Sequence, residues 1–257
     1  MTQAGNPLLS VSLSASYAAK APILRDLALE IHSGEILGLA GSSGSGKSTL
    51  ALAIMKLLDR SCEINGHVYY KGKNLLKLNE SELRSIRGRE IALVLQSPAA
   101  ALNPMLRIGR QLREAWRAHA PEIDGTHRIR KTLEAVCLPQ DDMFLRRYPS
   151  QVSTGQGQRV LIAMALLHWP ALIIADEPTS ALDAITQEEV LELLKKCNQD
   201  FGTAILLISH DLRALESVCH RVAILNNGQI VESGSVDEIL HSPKHAFSRR
   251  LTQCAGR

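Results

Sequence analysis

The stretch from Ile36 to Thr49 reads ILGLAGSSGSGKST, and it decides the fold. Ile36 to Ala40 form a short apolar run that predicts a buried strand, and a turn rich in glycine and serine follows directly. The next residues, TLALAIMKLL from Thr49 to Leu58, have the apolar spacing of a helix. Strand, glycine loop and helix in this order predict the start of a βαβ unit, and therefore an α/β fold with a parallel sheet.

The glycine loop matches the pattern of a phosphate-binding loop. Glycines let backbone N–H groups wrap around the β- and γ-phosphates, Lys47 adds a positive charge, and Ser48 is a candidate Mg²⁺ ligand. A chance glycine-rich turn is the alternative, but this loop also follows a strand and opens a helix. Without nucleotide, we expect the Lys47 ammonium to be solvated. The candidate phosphate-binding residues are Gly41, Ser42, Ser43, Gly44, Ser45, Gly46, Lys47, Ser48 and Thr49.

A second apolar strand ends in two acidic residues. Residues 172–177 read LIIADE, and a buried parallel strand delivers its last residues to the carboxyl edge of the sheet, where ligands bind. We expect Asp176 to hold Mg²⁺ through water, and Glu177 to orient and deprotonate the attacking water. Acids after a strand are also common helix N-caps, so for this pair taken alone that interpretation stays open.

The remaining patterns divide the chain into a β-rich part and a helical part. Between about Ala99 and His168 there is almost no β-branched run, which predicts a separate helical insertion. We therefore expect one domain over residues 1–257, with a core at about 1–98 and 169–257 and a helical subdomain at about 99–168. Helices are predicted at 112–119, 128–137, 156–168 and 186–202. Strands are predicted within 8–32, at 66–75, 91–95 and 172–177, and in AILLIS and RVAIL, with a hairpin turn at Asn226-Asn227-Gly228.

Composition excludes several classes of protein. The net charge of the 257 residues is only +3 and is dispersed along the chain, which argues against nucleic acid as a partner. Aromatic residues make up only 4%, too few for a platform that stacks single-stranded bases. The longest apolar stretch, Val160 to Ala175, is interrupted by His168 and Pro170, so no membrane span is expected. Five scattered cysteines and a start without a signal-peptide pattern predict free thiols and a cytosolic chain.

A further set of motifs resembles one family. Residues 148–159 read YPSQVSTGQGQR, shortly before ALIIADEPTSALD and, further on, ILLISHD. Together with the phosphate loop and LVLQSP around Gln96, this order resembles the ATP-binding-cassette (ABC) ATPases from about Leu8 to Leu251. The resemblance implies an ABC-type nucleotide-binding domain of the α/β class. Such a domain has a RecA-like phosphate-loop core, an antiparallel β subdomain and a helical insertion that carries the signature.

The resemblance also implies roles for single residues. Gln96 matches a glutamine that senses Mg²⁺ and touches the transmembrane partner, and His210 matches a histidine that steadies the γ-phosphate. Residues 180–183 match the D-loop, which couples the two sites of a dimer, and Tyr17 falls where an aromatic ring stacks on adenine. Each assignment has a plain alternative: an ordinary loop glutamine, a histidine that caps the helix DLRALESV, and a core tyrosine.

The signature segment departs from the family pattern. Its residues Ser153, Gly155 and Gln156 match those that bind the γ-phosphate of ATP held by the opposite subunit. The usual Leu-Ser-Gly-Gly-Gln reads VSTGQ here, and Thr154 adds a branched Cβ where glycine permits close approach and unusual backbone angles. Gly157 also replaces a residue that is commonly arginine. We hypothesise that the site completed by this signature is weakened; the alternative is that Thr154 adopts the required backbone.

Details point to one branch of the family. AALNP after Gln96, RYPSQ and QRVLIAMAL around the signature, and SPKHAF near the end resemble dipeptide, oligopeptide and nickel importers. The resemblance implies an ATPase that drives uptake of peptides, nickel or a similar small solute, with ATP and Mg²⁺ as cofactors. It also implies a peripheral position at the cytoplasmic face of the inner (plasma) membrane. The implied partners are transmembrane permease subunits, a second ABC ATPase subunit, unlike rather than identical, and an external solute-binding protein.

Two other classes compete with the importer motor. Soluble ABC proteins of translation or DNA repair typically carry two cassettes or a long coiled-coil insertion, and neither pattern is present here. A non-hydrolysing regulatory cassette is the second class. Intact Lys47, Asp176, Glu177 and His210 argue against it.

Overall fold

The protein is described from a computed structural model, which covers residues 6–17 and 21–254. The sequence predicts a turn-like stretch around Pro22, and part of that stretch lies outside these ranges. The strands are β1 (Leu9–Tyr17), β2 (Leu24–Ile31), β3 (Ile36–Gly41), β4 (Cys62–Tyr70), β5 (Lys73–Asn74), β6 (Ile91–Val94), β7 (Leu172–Asp176), β8 (Ala204–Ile208), β9 (Arg221–Asn226) and β10 (Gln229–Ser235). The α-helices are α1 (Lys47–Ile54), α2 (Glu80–Ile86), α3 (Pro98–Ala101), α4 (Ile108–Arg117), α5 (Thr126–Ala135), α6 (Asp142–Leu145), α7 (Thr154–Leu166), α8 (Ala184–Phe201), α9 (Leu212–Val218), α10 (Val236–His241) and α11 (Ala246–Cys254).

The chain forms two compact units, one within Met1–Leu83 and Ala204–Arg257, the other within Arg84–Thr203. The first unit contains a four-stranded antiparallel sheet in the order β2-β1-β4-β5. Residues of β1 alternate between buried and half-buried positions over most of the strand, the two-residue period of a sheet with one covered face. The strands predicted within residues 8–32 are thereby confirmed.

The first unit also contains the strand that carries the glycine loop. β3 pairs in parallel with β8 on one side and with β9 on the other, and β10 continues the order antiparallel to β9. Every residue of β3 and of β8 is buried, which is typical of a parallel sheet covered on both faces. The hairpin predicted at Asn226-Asn227-Gly228 is confirmed, because Asn227 and Gly228 adopt φ of 46° and 80°, as a two-residue primed turn requires.

The second unit is largely helical around a parallel strand pair. β6 and β7 run parallel with Val94 opposite Ala175, and the helices α3 to α7 lie between them in the chain. The predicted helices at 112–119, 128–137 and 156–168 are confirmed as α4, α5 and α7, while the subdomain of 99–168 stays a prediction. In the described ranges, no helix is both long enough and apolar enough to cross a membrane.

Several helix boundaries differ from the predicted ones, and those of α1 and α7 show the physical reasons. α1 ends at Ile54 although its apolar pattern continues to Leu58, because Lys56 turns into the left-handed region with φ of 50°. The Nζ of Lys56 donates hydrogen bonds to the carbonyl oxygens of Leu76 at 2.8 Å and Leu78 at 2.9 Å. Tertiary contacts therefore override the helical pattern at this point. α7 begins at Thr154, two residues before the predicted start, because the preceding Ser153 caps it.

A cluster of rings and cations, which we call the tryptophan cluster, braces the helices of the second unit. It consists of Trp116, His119, Arg128, His168 and Trp169. The imidazole of His168 stacks on the ring of Trp116, with the two centroids 4.7 Å apart. The ring of His119 packs against that of His168 in a T-shaped arrangement, with centroids 5.1 Å apart. The Arg128 guanidinium lies 6.0 Å from the ring centroid of Trp116 and 5.1 Å from that of Trp169. These contacts join the ends of α4 and α7 to the start of α5.

Candidate functional site

The glycine loop joins β3 to α1 in the first unit. Gly44 and Gly46 have φ of 77° and 107°, values that favour glycine over residues with a Cβ. A Cβ at Gly46 would also approach Cδ2 of Leu24 to 2.8 Å. Gly46 is the N-cap of α1, so the loop leads directly into the helix N-terminus. Backbone N–H groups and the positive end of the helix dipole therefore converge here, as an anion site requires.

Lys47 is buried, with 6% of its surface exposed. Its Nζ donates hydrogen bonds to the carbonyl oxygens of Gly41 at 2.9 Å and Ser42 at 3.0 Å. The expectation of a solvated ammonium was wrong, because carbonyl groups of the loop itself replace water around the charge. The hydroxyl of Ser45 is also buried, without a hydrogen-bond partner among the described residues. A cation, an unsatisfied hydroxyl and N–H donors in one loop fit a phosphate group.

His210 follows β8 in the first unit and is exposed. The alternative that it caps the next helix is wrong, because Asp211 is the N-cap of α9 and its carboxylate accepts the N–H of Arg213 at 2.9 Å. The N–H of Ser209, just before His210, donates to the carbonyl of Leu39 on β3 at 3.2 Å. This hydrogen bond holds the segment that carries His210 against β3, the strand that leads into the glycine loop.

Tyr17 is the last residue of β1 and is half-buried. It pairs with Cys62 of β4 in the antiparallel sheet. The stacking of its ring on adenine stays a prediction.

Asp176 ends β7 in the second unit, and Glu177 follows it. The interpretation of this pair as a helix N-cap is wrong, because α8 begins only at Ala184 and its N-cap is Asp183. Glu177 has φ of 47°, in the left-handed region that residues with a Cβ adopt rarely. Strained backbone of this kind is concentrated at functional sites. The strand end thus directs two carboxylates to the edge of the sheet without committing either to a helix.

Gln96 lies beside Glu177 because their strands are neighbours. β6 and β7 are parallel, so the residues that follow them come together at one edge. The Nε2 of Gln96 donates to Oε2 of Glu177 at 3.2 Å and to the hydroxyl of Ser180 at 2.9 Å. That hydroxyl in turn donates to the carbonyl oxygen of Glu177 at 3.2 Å. Gln96, Glu177 and Ser180 thus form one hydrogen-bonded group.

The signature segment forms the first turn of α7. Ser153 is the N-cap, and its hydroxyl accepts the N–H of Gln156 at 3.1 Å. The Oε1 of Gln156 accepts the N–H of Ser153 at 3.2 Å, which completes a capping box. This arrangement leaves the N–H groups of Thr154 and Gly155, at the start of the helix, to face an anion.

The departures at Thr154 and Gly157 have different structural settings. Thr154 has no positive φ and occupies an ordinary helical position, so the argument from unusual backbone angles was wrong. Gly157 is buried, and a Cβ there would lie 3.0 Å from Cβ of Pro98 in α3. Its small size therefore serves the packing of α3 against α7, whatever charge an arginine would have added.

Sequence reasoning did not identify one residue near the signature. Thr186, in the first turn of α8, lies so close to Gly155 that a Cβ added to this glycine would collide with its methyl group. The aspartate at the N-cap and the threonine three positions later were visible as a capping pattern. The contact with Gly155 was not, because it depends on how α7 and α8 pack.

A groove of about 270 Å³ opens beside Gln96. Its lining includes Ser97, Pro98 and Leu102, together with Val152 and Gly157. Its described lining contains no charged residue. The groove suits an uncharged segment of another chain.

Comparisons with known proteins were made for the whole chain. The profile of the ABC transporter family matches residues 24–180. The probable D,D-dipeptide transport ATP-binding protein DdpD of Escherichia coli (strain K12) is 41% identical over 90% of this chain and 72% of its own length. The oligopeptide transport ATP-binding protein OppD of Bacillus subtilis (strain 168) is 38% identical over 91% of this chain and 66% of its own length. The chain therefore spans about two thirds of the length of these relatives.

A solved structure agrees with the fold. The dimeric ATP-binding cassette MJ0796, bound to ADP and Pi in a post-hydrolysis state, superposes with a TM-score of 0.77 at 29% identity. The match covers 89% of this chain and 98% of that one.

Proposed function

This chain belongs to the ABC transporter family, and from that premise we propose that it is the ATP-hydrolysing motor subunit of an importer. The family resemblance and the fold class expected from the sequence are confirmed. The activity proposed is ATP hydrolysis that drives a transmembrane permease.

The observation that carries this proposal is the group formed by Gln96, Glu177 and Ser180. An ATPase needs a carboxylate held where it can orient water, and Glu177 is held by the Gln96 amide at 3.2 Å. It also needs a site for the phosphates, and the glycine loop of the first unit supplies N–H donors and the Lys47 ammonium. Both parts are present in one chain, which favours a hydrolysing cassette over a regulatory one.

Each remaining residue has a proposed task. When ATP binds, the Lys47 ammonium leaves the carbonyl groups of Gly41 and Ser42 and pairs with phosphate oxygens. Neutral acceptors are thereby replaced by negatively charged ones. Glu177 takes the proton of the attacking water, and His210 steadies the γ-phosphate. Tyr17 stacks on adenine.

Mg²⁺ is part of the proposal, and the residues present fit it. Hydroxyl, carboxylate and amide oxygens are the ligands that this hard cation prefers, and Ser48, Asp176 and Gln96 offer them. When bound, Mg²⁺ would neutralise negative charge that develops on the phosphate oxygens during hydrolysis.

The signature acts on a second subunit in this proposal. Ser153, Gly155 and Gln156 present the N-terminus of α7 to the γ-phosphate of ATP in the opposite cassette. We propose an unlike ABC ATPase as that second cassette, because the resembled importers commonly use two different motors. The departure at Thr154 supports this pairing because its added Cβ lies where glycine permits close approach, and an unlike partner tolerates one weakened site.

The permease is proposed to dock in the groove beside Gln96. Its described lining carries no charge, and it begins at Ser97, the residue after the glutamine. A segment seated there is placed to shift Gln96 and, through it, Glu177. The chain would then be a peripheral subunit at the cytoplasmic face of the inner (plasma) membrane, in a system completed by an external solute-binding protein.

A peptide is the proposed cargo. The similar proteins named above are named for probable D,D-dipeptide transport and for oligopeptide transport, and a third, GsiA of Salmonella choleraesuis (strain SC-B67), 37% identical, is named for glutathione import. Nickel, suggested by the branch resemblance, and other small solutes remain the alternatives that an experiment has to separate.

The test is transport by a reconstituted complex. The chain is co-expressed with a candidate permease and a partner ATPase, purified in detergent and placed in vesicles with the solute-binding protein. We expect phosphate release that rises when peptide-loaded binding protein is added. Phosphate release without co-purifying permease would instead indicate a soluble ABC ATPase, and permease binding without phosphate release would indicate a regulatory cassette.

A further inference from the structure

Thr186 is held by Asp183 at two points. The Asp183 carboxylate accepts the backbone N–H of Thr186 at 3.0 Å and its hydroxyl at 2.7 Å. Both hydrogen bonds lower the pKa of the Asp183 carboxyl, and the backbone N–H is the larger cause. Since the hydroxyl is committed to Asp183, the rotation of the Thr186 side chain about χ1 is fixed, and with it the direction of its methyl group.

The methyl group of Thr186 contacts Gly155. A Cβ built on this glycine would collide with Cγ2 of Thr186, while Cβ of Thr186 would lie 3.8 Å away and Oγ1 3.9 Å away. The contact is therefore made by the methyl group alone. Gly155 has no positive φ, so the requirement for glycine at this position is the close approach of Thr186.

Gly155 is the second residue of α7, inside the signature. The first turn of this helix is internally locked by the capping box between Ser153 and Gln156. A displacement of Gly155 therefore carries the whole signature turn with it. On the other side, Asp183 is both the N-cap of α8 and the last residue of the D-loop.

We propose that Thr186 is a positioning residue that couples the D-loop (residues 180–183) to the signature (residues 153–156) within one subunit. The inference rests on the proposed function, because both segments act at the interface with a second cassette. Close-packed contacts transmit small displacements instead of absorbing them. A shift of the signature on the partner's γ-phosphate is thereby passed through the methyl group of Thr186 to Asp183, and along the D-loop to Ser180 and Glu177.

Two substitutions separate the methyl group from the hydroxyl. Thr186→Ser keeps both bonds to Asp183 and removes the methyl group. Thr186→Val keeps a branched Cβ and removes the hydroxyl bond. Thr126 offers a matched control, because the Asp124 carboxylate accepts its N–H at 3.1 Å and its hydroxyl at 2.8 Å at the start of α5, with Thr126 exposed.

The readouts are kcat and KM for ATP in the assembled transporter, and the unfolding midpoint of the chain. We expect Thr186→Ser to lower kcat roughly threefold to tenfold, which lies within the range of coupling changes without direct ligand contact. KM and the unfolding midpoint should stay near wild type. We expect Thr186→Val to lower kcat as well, and Thr126→Ser and Thr126→Val to leave it unchanged. If Thr186 only supported the Asp183 cap of α8, Thr186→Val would lower the midpoint and neither substitution would lower kcat.

A double substitution tests the contact itself. Gly155→Ala adds the Cβ that collides with Thr186, so we expect a lower unfolding midpoint. Thr186→Ser in the same chain removes the colliding methyl group, so we expect most of that loss to be recovered.

Three results would overturn the inference. A kcat for Thr186→Ser within twofold of wild type, like that of Thr126→Ser, would show that the methyl group transmits nothing. An unfolding midpoint of Gly155→Ala that Thr186→Ser leaves unchanged would deny the contact. A wild-type complex without ATP turnover would reject the proposed function and this inference with it, whereas an active wild type that Thr186→Ser matches would reject the inference alone.

Discussion

The side-chain amide of Gln96 donates a 3.2 Å hydrogen bond to the carboxylate of Glu177. The two residues are 81 positions apart and meet only because β6 and β7 are parallel neighbours. Ser97, the residue after Gln96, lines the uncharged groove. In the proposed complex, a permease segment seated in this groove acts on Glu177 through the neighbouring Gln96 side chain.

The first prediction concerns that hydrogen bond. Gln96→Glu replaces two N–H donors by a second carboxylate beside Glu177, so like charges repel and the group with Ser180 comes apart. Gln96→Ala removes the donors without adding charge. We expect both variants to lower ATP turnover, with the larger loss in Gln96→Glu, measured as phosphate release under saturating ATP. Equal losses would show that the proximity of the two side chains is not maintained in the working enzyme.

The second prediction concerns the general base. Glu177→Gln keeps the shape of the side chain and removes its ability to accept a proton. We expect ATP binding to remain and turnover to fall at least about a hundredfold, as is usual when positioned proton transfer is lost. ATP should then accumulate in a closed dimer, which gel filtration with ATP detects. Hydrolysis near the wild-type rate would assign the base to another residue.

The third prediction concerns Lys47. Because this side chain is buried, its removal should affect the stability of the fold as well as nucleotide binding. Lys47→Ala removes the positive charge that is proposed to pair with the phosphates. It also removes the ammonium that donates hydrogen bonds to the carbonyl oxygens of Gly41 and Ser42. We expect nucleotide binding to be lost or severely weakened. We also expect the free energy of unfolding to fall by about 1–2 kcal/mol, the usual effect of an unsatisfied buried acceptor.

Lys56 provides the control for this experiment. Its ammonium also donates to two carbonyl groups of the first unit, those of Leu76 and Leu78. We expect Lys56→Ala to lower stability less than Lys47→Ala, because Lys56 is exposed and water can replace its ammonium. ATP affinity should be unchanged; urea unfolding measures the stability and titration calorimetry the affinity. Unchanged affinity in Lys47→Ala would contradict the assignment of the loop.

The fourth prediction is a dependence of stability on pH that arises in the tryptophan cluster. Burial lowers the pKa of both His119 and His168 below the usual 6.5, and the Arg89 cation beside them acts in the same direction, with Arg128 adding to the effect at His168. Below pH 6.5 the unfolded chain binds protons that the folded chain does not, so stability falls as pH decreases from 6.5 towards the lowered values. Above pH 6.5 both states are neutral and the contribution is constant.

His168→Phe tests this dependence, because the phenyl ring preserves a stack on Trp116 and cannot be protonated. Urea midpoints at pH 7.5 and 5.5, followed by tryptophan fluorescence, should differ less in this variant than in wild type. His127→Gln, at an exposed position of α5, should retain the wild-type difference. A wild-type midpoint that does not fall at pH 5.5 would contradict the prediction.

Patterns that depend on neighbours in the chain were predictable. The apolar run of β3, the glycine loop and the start of α1 follow from local spacing, as does the turn at Asn227 and Gly228, where both residues tolerate positive φ. The acidic strand end at Asp176 was equally visible. For these features the physical cause lies within a few residues, so one sequence suffices.

Features that depend on packing were not predictable. Lys56 ends α1 because carbonyl groups about twenty residues away hold its ammonium. The burial of Lys47 depends on how the loop folds back over it. The ordinary helical backbone of Thr154 also removes the argument from unusual backbone angles and leaves only its added Cβ. In each case the deciding partner is distant in sequence or is a conformation that residue type alone does not fix.

The backbone of Glu177 has a consequence for anyone who seeks a hardier version of this protein. Its φ of 47° suits glycine better than glutamate. Glycine at this position would relieve roughly 1 kcal/mol of backbone strain. The same substitution would remove the carboxylate that is proposed as the base. A screen that rewards heat resistance alone would thus enrich inactive clones at position 177. Directed evolution of this subunit has to select for turnover at every round.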